Sequence, residues 1–419
     1  MLKITNILIS QRKELEETKR QNYVERDTEI KNIDSNIIKV IIGPRRAGKS
    51  FFAVHHLKDR NFGYVNFDDE ELIQVKNYDE IVDSIMQIYK NPKTLFLDEI
   101  QNLPRWELLT NRLQRQGFNL IITGSNSNLL SKELATHLTG RHLPTVIFPL
   151  SFKEFLSLYG NNLTETEQRS RFNEYLEIGG FPEPIIKNID HNSYIKTLYD
   201  SVILKDIILR YNIKFAKSIE DLARHLISNF GNPISYTQLT KISRVKSVHT
   251  VMKYVKYLEE AFVIFELNQF SFKTKTQVKS NKKIYCFDNG IISSKAFVSS
   301  PNFGKLYENI VAIELKKKEM KGEIDFYYWK NIQQEEVDFA VKEGLKITSL
   351  IQVCFDVSDI KTKDREVRAL LKAGDELKCK NLIILTENYE AEKNEEWFGS
   401  KGKIKYIPLW KWMLGNKSM

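Results

Sequence analysis

The chain has 419 residues, 42% of them hydrophobic, with 63 Lys and Arg against 54 Asp and Glu for a net charge of +9. That length predicts roughly two to four domains; the apolar share excludes a disordered chain, and only 18 glycines and 10 prolines exclude a long flexible linker. No apolar run approaches the ~18 residues of a membrane-spanning helix, so no membrane partner is expected.

The opening MLKITNILISQRKEL lacks a signal peptide's long apolar core, and Cys286, Cys354 and Cys379 have no metal-type spacing; the expected compartment is a reducing cytoplasm. Charge is uneven along the chain. Residues 1–150 carry +2, 151–210 carry −2, 211–300 carry +8 and 301–419 carry +1. The surplus in one segment predicts a polyanion-binding module there.

In chain order, residues 1–35 read as a helical lead-in, with QRKELEETKRQ as a solvated helix. NIIKVII then has the continuous apolar run of a buried strand. It leads into GPRRAGKS, which fits G-x-x-x-x-G-K-[ST] at Gly43, Gly48, Lys49 and Ser50, and the apolar helix SFFAVHHL follows. Glycines let backbone N–H groups turn inward around phosphates, and the helix adds its positive N-terminal end. Gly43, Pro44, Arg45, Arg46, Ala47, Gly48, Lys49, Ser50 and Phe51 are the expected nucleotide contacts. Lys49 is expected to reach the β- and γ-phosphates and Ser50 to ligate Mg²⁺. A chance glycine–lysine turn is the alternative, and the flanking strand and helix argue against it. YVERD, just upstream, is expected near the nucleobase.

Four further apolar runs, YVNF (64–67), TLFLD (94–98), NLIIT (119–123) and TVIFP (145–149), are separated mostly by helical stretches, as a parallel α/β sheet requires. Ligand groups belong at the carboxyl ends of such strands. TLFLDE ends in Asp98, suited to holding Mg²⁺, and Glu99, suited to orienting an attacking water. NLIIT ends near Thr123, Ser125 and Asn126; one of these senses the γ-phosphate, or Ser125 or Ser127 caps a helix.

The order GPRRAGKS, FLDEIQNL, IITGSNSNLL, LTGRHLP, FPLSFKEF resembles a prokaryotic AAA-type P-loop ATPase family whose members join this core to a C-terminal domain of unknown function. The resemblance implies ATP as the nucleotide, Glu99 as catalytic carboxylate and Ser125 or Asn126 as sensor. Arg141 in TGRH matches a family arginine that acts as a finger from a neighbouring subunit, which would make the protein a homo-oligomer; a surface arginine or a structural ion pair is the alternative. Residues 1–150 are then the ATPase core. Residues 151–210, mostly helical with a turn at GGFPEP, resemble the family's helical lid.

In residues 211–300, SIEDLARHLISNF, a short helix after GNPIS, the longer VKSVHTVMKYVKYLEEA and two strands flanking KTKTQVKSN together resemble a winged helix-turn-helix. In DNA-binding versions the third helix enters the major groove and the wing touches backbone. Candidate contacts are Arg244, Lys246, His249, Thr250 and Lys253, with Lys273, Lys275, Lys279, Lys282 and Lys283 on the wing. The alternative is a scaffold between domains with solubilising lysines.

Residues 301–419 read as a helix, GKLYENIVAIELKKK, then strands EIDFYYWK, EEVDFAV, SLIQVCFDV and NLIILT. This layout resembles the restriction-endonuclease-like fold. By position Glu308 and Asp338 match two of its metal ligands, but Gln352 and Cys354 stand where a glutamate and a lysine belong. A neutral carbonyl weakens Mg²⁺ binding and a thiol cannot replace an ammonium. The expectation is a nuclease-like α/β domain without nuclease activity, unless Lys342 or Lys346 supplies the missing lysine. The sequence as a whole predicts a cytoplasmic Mg²⁺-dependent ATPase that contacts DNA, with ATP state governing domain arrangement. The alternatives are an ATP-regulated DNA nuclease and a switch NTPase that recruits a protein.

Overall fold

A computed structural model of the chain describes residues 2–125, 141–160, 162–297 and 302–415. They divide into two compact units, Met1–Glu154 with Glu260–Phe262, and Phe155–Glu259 with Val263–Met419.

In the first unit β1 (Ile38–Ile42), β2 (Phe62–Asn66), β3 (Thr94–Asp98), β4 (Asn119–Gly124) and β5 (His142–Val146) form one parallel sheet in the order β2-β3-β4-β1-β5. All five residues of β1 are buried, as a central strand covered on both faces must be. Helix α1 (Leu2–Arg20) lies over β2 and α2 (Lys49–Leu57), and α2 buries Phe52, Ala53, Val54 and Leu57. Because β1 is inserted between β4 and β5, the carboxyl ends of β1, β3 and β4 lie side by side, where an open α/β sheet binds ligands.

Two details depart from the sequence reading. The strand expected at 145–149 is set at His142–Val146, because its register is fixed by pairing with β1, Ile38 opposite His142 through Ile42 opposite Val146. The lead-in helix is not fully solvated. Leu8, Gln11 and Leu15 are buried, and the Gln11 amide donates to Asn66 O at 2.9 Å and accepts from Asn66 N at 3.0 Å. That side chain thus satisfies backbone groups on the outer strand of the sheet.

The second unit contains the remaining strands. Short strands β6 (Pro233–Ile234), β7 (Ile264–Leu267) and β8 (Lys282–Cys286) form an antiparallel sheet in the order β6-β8-β7, accompanied by α3 (Ala216–Ser228), α4 (Tyr236–Ser243) and α5 (Val248–Glu260). The connection from β7 to β8 holds a short helix, Thr274–Lys279. Helix α6 (Phe303–Met320) precedes a six-stranded mixed sheet of β9 (Asp325–Lys330), β10 (Glu336–Glu343), β11 (Lys346–Val353), β12 (Leu382–Thr386), β13 (Ala391–Trp397) and β14 (Ser400–Pro408), ordered β13-β14-β12-β11-β10-β9. Val367, Leu370 and Leu371 of α7 (Ile360–Leu377) share a core with Val337, Leu350, Ile384 and Ile404 of that sheet. Beyond β7 the backbone bonds to β9, Phe270 N to Tyr328 O at 2.7 Å and Tyr328 N to Asn268 O at 3.1 Å. The two sheets therefore belong to one body.

Gly43 ends β1 at φ +150°, and a Cβ built there would lie 1.9 Å from the carbonyl oxygen of Ile147. Backbone on the opposing side cannot yield as a flexible side chain can. Gly43→Ala should lower the stability of the first unit by about 1–3 kcal/mol or more, read as a shifted urea midpoint. An unchanged midpoint would mean that this close approach is not maintained in solution.

Candidate functional site

The loop of residues 43–48 leaves β1 and turns into α2 with Arg46 at φ 65° and Gly48 at φ 92°. Both lie in the left-handed region, where glycine is at ease and arginine is strained. Pro44 O accepts from Ala47 N at 3.2 Å and from Lys49 Nζ at 3.0 Å. Lys49 is only 3% exposed, and its ammonium lies 3.9 Å from Glu99 Oε1. Arg45 is half-buried, and Arg46 and Phe51 are exposed.

Asp98 ends β3 fully buried and gathers three hydroxyls. Ser50 Oγ donates to Oδ1 at 2.9 Å, Thr123 Oγ1 also donates to Oδ1, and Tyr64 OH donates to Oδ2 at 3.2 Å. Burial, followed by the neighbouring Glu99 carboxylate, pushes Asp98 up to about 6. Glu99 has φ 50°, a conformation that a non-glycine residue holds only against strain. Its N–H donates to Thr123 Oγ1 at 2.8 Å, and Gln101 Nε2 donates to its Oε2. Thr123 therefore positions Asp98 and Glu99. Ser125, at the end of β4, is 2% exposed, and its Oγ has no hydrogen-bond partner among the described residues.

The expected catalytic and metal residues Lys49, Ser50, Asp98, Glu99 and Ser125 thus converge on one end of the sheet. Asn126 lies outside the described residues, and Arg141 is exposed. The donor set suits a magnesium–triphosphate group. It comprises a tight turn through Gly43 and Gly48, a buried ammonium, a serine on an aspartate and a buried hydroxyl with no partner among the described residues. Sequence reasoning missed Tyr64, which has no motif and earns its place by lying one strand over from Asp98.

The segment around YVERD reaches the same loop. Arg26 Nη1 donates to Ala47 O at 3.1 Å, Nη2 donates to Phe148 O, and Nε lies 3.1 Å from Glu154 Oε2 as an ion pair. Tyr23 stacks on His55 of α2 with ring centroids 3.7 Å apart.

In the second unit the basic candidates separate into two groups. Arg244, Lys246, His249, Lys253, Lys273, Lys275 and Lys279 are exposed and Thr250 is half-buried. Lys282 instead pairs with Glu266 at 2.6 Å, and Lys283 is 1% exposed, which removes it from any surface. Lys283 Nζ lies 2.7 Å from Glu336, 3.1 Å from Glu308 and 3.3 Å from Asp338. Burial favours its neutral form, but Glu308, Asp338 and Glu336 outweigh that and hold its pKa well above the ordinary value. Tyr285 OH and Lys305 Nζ complete the shell of Glu308 at 2.7 and 2.9 Å.

Lys283 is thus the cation among these acids, whereas Lys342 pairs with Asp325 at 3.0 Å and Lys346 is exposed. The reason is topological, since β8 comes from far upstream. Gln352 accepts from Asp338 N at 3.1 Å and donates to Glu366 at 2.5 Å. Cys354 is buried, which pushes its thiol up to about 12.

Residues 35–156 match the model of an AAA domain. The chain belongs to an AAA-type P-loop ATPase family. Residues 169–302 and 303–412 match two domains of unknown function, DUF8612 and DUF4143. An uncharacterized protein of Methanocaldococcus jannaschii, MJ1544, is 38% identical, with 96% of this chain and 93% of that one covered. An uncharacterized protein of Haemophilus influenzae is 30% identical over 88% of this chain and 94% of its own. Among solved structures, the Walker-type ATPase PABY2304 of Pyrococcus abyssi matches 66% of this chain and 97% of its own at 13% identity and a TM-score of 0.44. An AAA domain suggests nucleotide binding and hydrolysis.

Removing the cation at the centre of a buried carboxylate cluster leaves charges uncompensated. Lys283→Met should therefore destabilise the second unit by about 3–5 kcal/mol, measured by urea unfolding. A loss within experimental error of zero would show that the cluster is not an ion network.

Proposed function

We propose that the protein is a Mg²⁺-dependent ATPase. The observation that carries the reading is the meeting of Ser50 and Asp98 at 2.9 Å, with the buried Lys49 ammonium 3.9 Å from Glu99. Residues Gly43 to Phe51 would wrap the phosphates with backbone amides, and Lys49 would exchange Glu99 for phosphate oxygens. Ser50 and Asp98 would hold Mg²⁺, which when bound supplies charge neutralisation at the β- and γ-oxygens. Glu99, set by Thr123 and Gln101, would orient the attacking water. Ser125, whose hydroxyl has no partner among the described residues, would face the γ-phosphate, with Asn126 as the neighbouring sensor. Arg141, exposed just ahead of β5, would act on the site of an adjacent subunit in a homo-oligomer.

A second reading concerns residues 211–300. The order of three helices and three short antiparallel strands supports a winged helix-turn-helix, and the exposure of Arg244, Lys246, Lys253, Lys273, Lys275 and Lys279 supports contact with DNA phosphates. Nuclease activity is disfavoured in residues 301–419, because Gln352 and Cys354 supply neither a carboxylate nor an accessible cation and Lys283 is already held between the acids.

Two experiments test these assignments. Glu99→Gln should lower ATP turnover by about 10²–10⁴-fold with nucleotide binding retained, whereas Lys49→Ala should abolish binding; turnover unaffected by Glu99→Gln sinks the catalytic assignment. For DNA, some five phosphate contacts imply that log affinity falls against log salt with a slope of about −4 to −5. A flat salt response in a filter-binding or anisotropy titration rejects the DNA reading.

A further inference from the structure

Arg26 carries a largely buried charged side chain in the first unit and has no part in the nucleotide chemistry assigned above. Its side chain and that of Glu154, the carboxylate it meets, are each only 7% exposed. The carboxylate is itself fixed, accepting from Asp27 N at 2.7 Å through Oε1 and from Ser151 N at 2.8 Å through Oε2. With one edge committed to Glu154, Arg26 presents its two remaining nitrogens to two backbone carbonyls. One is Ala47 O inside the phosphate loop, at 3.1 Å. The other is Phe148 O, next to the Ile147 carbonyl against which Gly43 packs. The planar fork of an arginine suits such a double task, and a lysine's single point charge does not.

The peptide plane turns this contact into a statement about the site. In a trans peptide C=O and N–H point in opposite directions. A guanidinium gripping Ala47 O from one side therefore fixes the Gly48 N–H toward the other, and Gly48 opens α2, where a phosphate would sit. Within the loop itself, Ala47 N and Lys49 Nζ both bond to Pro44 O. Arg26 connects it to structure outside, namely the segment ahead of β1 and the turn after β5. The Tyr23–His55 stack and the 3.0 Å contact of Glu25 with His55 anchor that same segment along α2.

We infer that Arg26 is a positioning residue for the phosphate loop: it clamps the Ala47–Gly48 peptide so that the Gly48 amide faces the triphosphate, and so makes nucleotide affinity depend on docking of residues 23–27. This rests on the ATP reading above. Losing a charge-assisted bond that preorganises a loop should weaken binding by about 10- to 100-fold.

The test is calorimetric titration of the full chain with ATPγS and Mg²⁺, for wild type, Arg26→Ala, Arg26→Lys and Lys49→Ala. Arg26→Ala should bind about 10- to 100-fold more weakly, and guanidinium ion at millimolar concentration should restore part of the loss. Arg26→Lys, which keeps the charge and loses the fork, should fall between and also answers if Arg26→Ala does not fold. The Gly48 amide resonance of glycine-labelled Arg26→Lys should shift from its wild-type position. Arg26 variants that lose thermal stability yet bind ATPγS like wild type would assign the side chain to packing alone and overturn the inference. If wild type itself takes up no ATPγS, the ATP reading fails first; if wild type binds, Lys49→Ala does not and Arg26→Ala is unimpaired, only the clamp is wrong.

Discussion

A single buried carboxylate organises the nucleotide end of the first unit. Asp98 is removed from water and carries a charge whose burial is costly unless hydrogen bonds replace hydration. Ser50, Tyr64 and Thr123 provide them, one from the start of α2, one from β2 and one from β4. Each hydroxyl ties a different element to the end of β3. The strand ends that shape the site are therefore held in mutual register by the group that would meet the metal ion. Thr123 extends the linkage by holding the Glu99 amide in a backbone conformation that would otherwise relax. The result is a preorganised acidic pair, one carboxylate hydroxyl-bound and deep, the other strained and beside the Lys49 ammonium.

The second unit uses charge differently. Its segment 211–300 has a formal surplus of +8, yet part of that surplus is consumed inside the protein. Lys283 neutralises Glu308, Glu336 and Asp338, and Lys295 meets Asp200, all four acids lying outside the segment. What remains for solvent is concentrated on α4, the start of α5 and the β7–β8 connection. Lys283 has a second consequence. It fastens β8 to α6 and β10, so the small sheet and the large one share a charged core as well as the backbone bonds between Phe270 and Tyr328.

Much of the first unit was legible because its signals are local. GPRRAGKS needs only eight consecutive residues, and the apolar runs of a parallel sheet are continuous, so the strands at 38–42, 94–98 and 119–124 fall where their composition puts them. Ser125 was legible as a candidate by its place after a strand. The hairpin of β13 and β14 was not, because its exposed face alternates charges, Lys401 with Glu396 and Lys403 with Glu392, and such a run reads as solvated chain. Tyr64 and Arg26 were illegible as partners of Asp98 and Ala47 for another reason. Nothing in an isolated tyrosine or arginine says which carboxylate or carbonyl it will meet 34 or 21 residues away.

The sequence by itself determined that a phosphate-binding loop follows a buried strand and that an acidic pair ends another strand. These are properties of residue type and spacing, which the chain carries before it folds. Only the tertiary structure decided that Thr123 serves Asp98, that Arg26 grips the phosphate loop, and that Lys283 is a core counter-ion. Those outcomes depend on strand order and on which side chains share a buried volume, and long-range packing creates both.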